Sequence, residues 1–117
     1  MASLSIRLDL TPAIRIGPGK VRLLELVAEH GSISAAGRAL DMSYRRAWLL
    51  VDELNHSFAE PVISAMPGGR KGGGAVLTPF GRELVASYRA IEREATEAAA
   101  RHLASLAGRL GPEPATP

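Results

Sequence analysis

Apolar residues change their period several times along the chain, and each change predicts an element. Leu4, Ile6, Leu8 and Leu10 alternate with Ser5, Arg7 and Asp9, the two-residue period of a half-buried strand. Thr11-Pro12 ends this strand, with Ile14-Arg15-Ile16 as a short continuation. It suits either a third strand of a wing sheet or a strand exchanged within a dimer. Gly17-Pro18-Gly19 breaks the pattern, and a helix follows from about Pro18 to His30. Val21, Leu24, Val27 and Ala28 form its inward stripe, helped by Leu23 and Leu26, and Gly31 is placed to end it. Lys20 and Arg22 in its first turn oppose the helix dipole and either face phosphate or are solvated.

A short helix comes next, with Ser34 as its expected N-cap and Ala35, Ala36 and Leu40 as its apolar stripe. Asp41-Met42-Ser43 interrupts it, because Asp and Ser compete for backbone hydrogen bonds and favour turns and caps. Ser43 then caps a longer helix, Tyr44 to about Phe58. Two helices joined by so short a turn predict a helix-turn-helix. At 100° per residue, Ala47, Leu50, Val51, Leu54 and Phe58 gather on the inward side. The first turn offers Ser43, Tyr44, Arg45 and Arg46 to solvent, while Trp48, in the body of the helix, is assigned to packing.

Beyond Glu60-Pro61, Val62–Met66 and Ala75–Leu77 read as two short strands around Pro67-Gly68-Gly69-Arg70-Lys71-Gly72-Gly73-Gly74. This is a basic, glycine-rich hairpin tip, and no acidic residue lies between Pro61 and Arg82. A cationic hairpin after a helix-turn-helix describes a wing, whose Arg70 or Lys71 suits a narrow minor groove. A nucleotide-binding loop is discounted, since no Gly-Lys-Ser/Thr opens a helix. Thr78-Pro79 begins the last helix, predicted to about Leu106, roughly 42 Å long at 1.5 Å per residue. Phe80, Leu84, Tyr88, Ile91, Ala95, Ala98 and His102 follow a near-heptad spacing, which predicts pairing with a second copy.

Three blocks carry a resemblance: Gly31-Ser32-Ile33-Ser34, Ser43-Tyr44-Arg45-Arg46-Ala47-Trp48, and Gly68-Gly69-Arg70-Lys71-Gly72-Gly73-Gly74-Ala75-Val76-Leu77-Thr78. In content and spacing they resemble the N-terminal domain of ModE-type molybdenum-dependent transcriptional regulators. The similarity runs from about Leu4 to about Leu106, and more distantly extends to the DNA-binding domain of LysR-type regulators. The resemblance implies a mainly α fold with a small β-hairpin wing, a winged helix-turn-helix with a long C-terminal dimerisation helix. Residues 1–77 would form the DNA-binding domain, 78–107 the dimerisation helix and 108–117 a disordered tail.

The resemblance also implies a homodimer on double-stranded DNA, with half-sites about 34 Å apart or a multiple of it. Contacts to DNA would come from Ser32, Ser34, Arg38, Ser43, Tyr44, Arg45, Arg46, Arg70, Lys71 and Gly72. The dimer seam would use Leu84, Tyr88, Ile91, Ala95, Ala98 and His102. ModE-type regulators place molybdate sites in C-terminal modules. This chain stops soon after the predicted dimer helix, so direct molybdate sensing is not expected, and a separate sensor protein or a constitutive binder fits instead.

Composition trims the alternatives. The chain has 117 residues, enough for one domain, and no apolar run nears the ~18 residues of a membrane span. Its start lacks the pattern of a signal peptide, which makes the cytoplasm the default. Cysteine is absent, removing disulfides and thiolate metal sites, and no cofactor or metal is implied. Three scattered histidines (His30, His56, His102) lack ligand spacing, and no catalytic constellation appears, so an enzyme is not expected. Net charge is only +2, so nucleic-acid binding rests on where the cations stand. A winged-helix protein-interaction module and a non-specific architectural DNA binder remain the alternatives.

Overall fold

A computed structural model describes residues 2–66 and 74–112. In chain order it holds β1 (Leu8–Asp9), β2 (Arg15–Ile16), α1 (Pro18–His30), α2 (Ile33–Ala39), α3 (Tyr44–Ser57), β3 (Ile63–Met66), β4 (Gly74–Leu77) and α4 (Pro79–Ala107). The fold is mainly helical with a small two-stranded wing, β3 antiparallel to β4. The predicted N-terminal strand over residues 4–10 is shorter than its alternation suggested. Only Leu8–Asp9 pairs, and its partner is Arg15–Ile16, in a separate antiparallel hairpin that does not join the wing. The turn Leu10–Ile14 explains this: the Thr11 hydroxyl accepts from the backbone N–H of Ala13 and of Ile14, folding the chain back.

Helix α1 is the central post. It packs against α2, α3, β4 and α4, so its buried arc is wider than a single stripe. Val21, Leu23, Leu24, Leu26 and Val27 are all buried, whereas Ala28, expected on the inward stripe, lies outside the arc and is exposed. Gly31 ends the helix at φ 75, a left-handed conformation that a side chain disfavours, and its N–H bonds the Val27 carbonyl at 2.8 Å. That reversal leaves Ser32 extended, at φ −154 and ψ 147, which is the N-cap conformation. Ser32, not Ser34, therefore caps α2, its Oγ accepting from Ala35 N–H at 3.0 Å. The turn to α3 passes through Asp41 at φ 55, a conformation Asp tolerates better than most residues.

Three anchors fix the wing and α4 to this frame. Asn55 on α3 uses its whole amide: Oδ1 accepts from the N–H of Val62 at 2.8 Å and of Ile63 at 3.1 Å, and Nδ2 donates to the Ile63 carbonyl. Ala75 N–H on β4 donates to the Gly31 carbonyl at 2.9 Å. Thr78 caps α4 by accepting from Gly81 N–H, and its hydroxyl donates to the Pro61 carbonyl at 2.7 Å. Gly81 sits so close to the Val62 carbonyl oxygen that a Cβ would collide with backbone.

Helix α4 runs 29 residues, and the molecule measures 56 × 36 × 25 Å. Only its first part belongs to the subunit's core. Leu84 is buried and Tyr88 is fully buried, its hydroxyl donating to the Ile6 carbonyl at 2.6 Å. These two side chains face inward within one subunit and are closed to a second copy, which corrects their assignment to a dimer seam. Ile91 is 41% exposed, and Ala98 and His102 are exposed, with Ala95 half-buried. At the changeover, Glu25 of α1 receives two bonds from the Arg89 guanidinium, at 2.8 and 2.9 Å, and Arg89 also holds Glu92. The Arg89 hydrogen bonds keep the Glu25 carboxyl below its ordinary value, against a smaller opposing effect of burial.

Two predictions follow from these contacts. Gly81→Ala should destabilise the fold by roughly 1–3 kcal/mol in urea unfolding, because the atom it meets is backbone. A depressed carboxylate pKa adds stability above the unfolded value of 4.5, lost as pH falls through the lower folded value. Stability should therefore decline with pH below about 4.5, and Glu25→Gln should flatten that decline; an unchanged acid limb would remove Glu25 as its source.

Candidate nucleic-acid interface

The exposed edge of α3 begins at its cap. Ser43 Oγ accepts from Arg46 N–H at 3.1 Å, fixing the first turn, and leaves its hydroxyl proton free to donate outward. Tyr44 (59% exposed), Arg45 and Arg46 follow, all turned to solvent. Among the described residues, neither the Arg45 nor the Arg46 guanidinium has a hydrogen-bonding or ionic partner. Helix geometry requires this: Ala47, Val51 and Leu54 take the buried stripe, so the positions before and beside it must emerge.

On one flank of α3, Trp48 is 46% exposed. Trp48, assigned to packing, follows Ala47 by 100°, which places it on the rim and leaves it half exposed. There it lines a shallow cleft with Ile33, Val51, Asn55 and the wing residues Ile63, Ala65, Gly74 and Ala75. On the other flank, Lys20 of α1 donates to Glu53 at 2.8 Å and to the Arg15 carbonyl at 2.9 Å. Lys20 is thus neither a bare phosphate ligand nor simply solvated. Its partner Glu53 shares a depression with Ser43, Arg45, Arg46, Leu49 and Leu50.

The remaining predicted contacts fall into two groups. Ser32 is half-buried and its Oγ is engaged as the cap of α2, which brings the start of α2 beside the cleft at Ile33. Ser34 Oγ accepts from Arg38 Nη1 at 2.8 Å, pairing two residues one turn apart on the outer side of α2. Arg70, Lys71 and Gly72 lie outside the described residues. Asn55, the residue that sets the wing against α3, had no signal in hydrophobic spacing. Its mark is chemical: a polar amide of poor helix propensity within reach of the strand that follows. Among the described residues no cluster of His, Asp or Glu has the geometry of a metal site, and no helix is long and apolar enough to cross a membrane.

Comparison with known proteins agrees with this geometry. The pattern of the bacterial regulatory helix-turn-helix proteins of the lysR family matches residues 19–82, from the start of α1 to the first turn of α4. The molybdenum-pterin-binding protein MopB of Rhodobacter capsulatus is 51% identical over 78 residues, covering 67% of this chain and 29% of that protein. The molybdenum transport protein ModE of Azotobacter vinelandii is 39% identical over 94 residues, covering 80% and 34%. The DNA-binding transcriptional dual regulator ModE of Escherichia coli is 33% identical over 87 residues, covering 74% and 33%. The chain thus spans about a third of the length of the curated relatives it matches. The crystal structure of the CbnR_DBD-DNA complex shares the fold, with a TM-score of 0.58 at 22% identity over 75% of this chain and 95% of that one. With α1, the helix-turn-helix and the wing all inside the matched span, this chain belongs to the lysR family of bacterial regulatory helix-turn-helix proteins.

Proposed function

We propose that this chain is the DNA-reading part of a dimeric bacterial transcriptional regulator. The observation that carries the proposal is the first turn of α3, where Arg45 and Arg46 stand exposed with no partner among the described residues. In a helix-turn-helix these positions reach base edges in the major groove. An Arg fork matches the two acceptors of guanine, and Ser43 and Tyr44 hydroxyls suit phosphates or bases. The wing, held to the same helix by Asn55, would lie on flanking DNA and bring Arg70 and Lys71 to the backbone or minor groove. Ser32 and Ser34 at the start of α2, and Arg38 in its last turn, would contact phosphate.

A second copy is proposed to pack on the distal part of α4. Ile91 is exposed there, and Ala95, Ala98 and His102 continue its row, the two alanines small enough for a helix to approach closely. Two-fold pairing would set two recognition helices on one face of the duplex, about 34 Å or a multiple of it apart. The names of the relatives, molybdenum-pterin-binding and molybdenum transport proteins, support genes of molybdenum metabolism as the targets. A regulator working on chromosomal DNA would act in the cytoplasm.

Selection of bound sequences from a random DNA pool at ~150 mM salt tests the proposal, since that salt suppresses non-specific phosphate binding. An inverted repeat is the expected product. A·T-rich DNA without a repeat would make the protein an architectural binder, and no enrichment from folded protein would point to a protein-interaction module. Arg45→Ala should cost roughly 1–3 kcal/mol at one base pair of each half-site and relax preference there. An equal loss on every sequence would remove Arg45 as a base reader.

A further inference from the structure

The β1–β2 hairpin is fixed to the body of the molecule, and its basic residues face the recognition helix. Ile16 is buried in the core, Leu8 packs against that core, and the Tyr88 hydroxyl holds the Ile6 carbonyl. From this base Arg7 and Arg15 project beside Lys20 and Arg46 into one depression of about 450 Å³, floored by Leu40, Met42 and Leu50. Arg46 and Leu50 also line the depression at the first turn of α3, so the two adjoin. The cations outnumber their counter-charges. Asp9 serves Arg7 through two bonds, at 2.8 and 3.1 Å, and stands 3.9 Å from Arg15. Glu53 serves Lys20, and Arg46 has no partner among the described residues.

We infer that this hairpin is a second phosphate-binding edge, gripping the sugar-phosphate backbone of duplex DNA on the side of the major groove opposite the wing. The inference rests on the reading of α3 as the recognition helix and extends it. Wing strands border α3 along Trp48, Val51 and Asn55, whereas the hairpin borders it along Arg46 and Leu50. A helix lying in a major groove about 12 Å wide has a phosphate wall on each side. The wing takes one wall, and the opposite flank of the protein carries Arg7 and Arg15. Both guanidiniums are more than half exposed, and a fork that leaves one carboxylate oxygen can take two phosphate oxygens in its place. Asp9 is then an intramolecular competitor that holds the forks in orientation until phosphate displaces it. Among the described residues, Arg7, Arg15 and Lys20 are the cations that line this depression with Arg46, and Lys20 is already engaged by Glu53.

The test is a salt series of duplex affinities with backbone footprinting, run on the full chain. Arg7→Ala combined with Arg15→Ala should lower the log–log salt slope by about two units. Affinity should then fall about tenfold less steeply between about 50 and 200 mM salt, and backbone protection should vanish beside the recognition helix while the wing side stays protected. The Arg7→Lys, Arg15→Lys pair keeps both charges and should keep the slope, separating charge from any effect on folding. Asp9→Asn frees both forks and should raise affinity at low salt. An unchanged slope and footprint in the double alanine variant would overturn the inference, with the recognition-helix reading intact if Arg45→Ala still weakens binding. If the unaltered chain binds no duplex, both readings fall together.

Discussion

The placement of the wing against α3 depends on the amide of Asn55. A two-stranded hairpin of four residues a side has little stability of its own in water, and its position needs an outside constraint. Asn55 supplies it with three hydrogen bonds to Val62 and Ile63, made from the helix that carries Arg45 and Arg46. Each bond contributes about 1 kcal/mol net, but leaving any of these half-buried groups unpaired costs more. The consequence is geometric: recognition helix and wing move as one piece. Gly31 repeats the arrangement from the other side, its carbonyl receiving Ala75, so that α1 also holds the wing.

The charge distribution follows an economical rule. A net charge of +2 is small for a protein proposed to meet a polyanion, yet several acids are engaged by cations other than Arg45 and Arg46. Glu25 and Glu92 hold Arg89, Asp9 holds Arg7, and Glu53 holds Lys20. The exposed pairs contribute little to stability, whereas the Glu25–Arg89 contact lies partly buried between α1 and α4. The result is a surface on which Arg45 and Arg46 stand out locally, although the whole molecule is nearly neutral.

Local chemistry made much of the fold legible before any coordinates. Pro18, Gly31, Ser43 and Thr78 are start and stop signals that act on their immediate neighbours, and the boundaries of α1, α3 and α4 lie close to those they predict. What escaped depends on contacts distant in sequence or on competition between equal candidates. Ser32 and Ser34 are both suitable caps, and the left-handed turn at Gly31 decides between them. The N-terminal alternation shows that one face is buried without naming its partner, and only the Thr11 turn brings Arg15–Ile16 back beside it. Tyr88 fits a heptad seam by spacing, but spacing does not reveal that Ile6 waits for its hydroxyl.

Helix α4 joins two tasks that are often separated by a hinge. Its N-terminal end is bolted to the segment that leads into β3, with Thr78 on the Pro61 carbonyl and Gly81 against Val62, and the same unbroken rod continues to Ala107. In a dimer built on that rod, a small rotation where the two helices cross would swing each reading head through a large arc. The spacing and phase of the two half-operators would then be encoded by side chains near Ile91 and Ala95, which never touch a base. A change of promoter repertoire would therefore be open to mutation at a protein–protein contact, with the reading surface itself left unaltered.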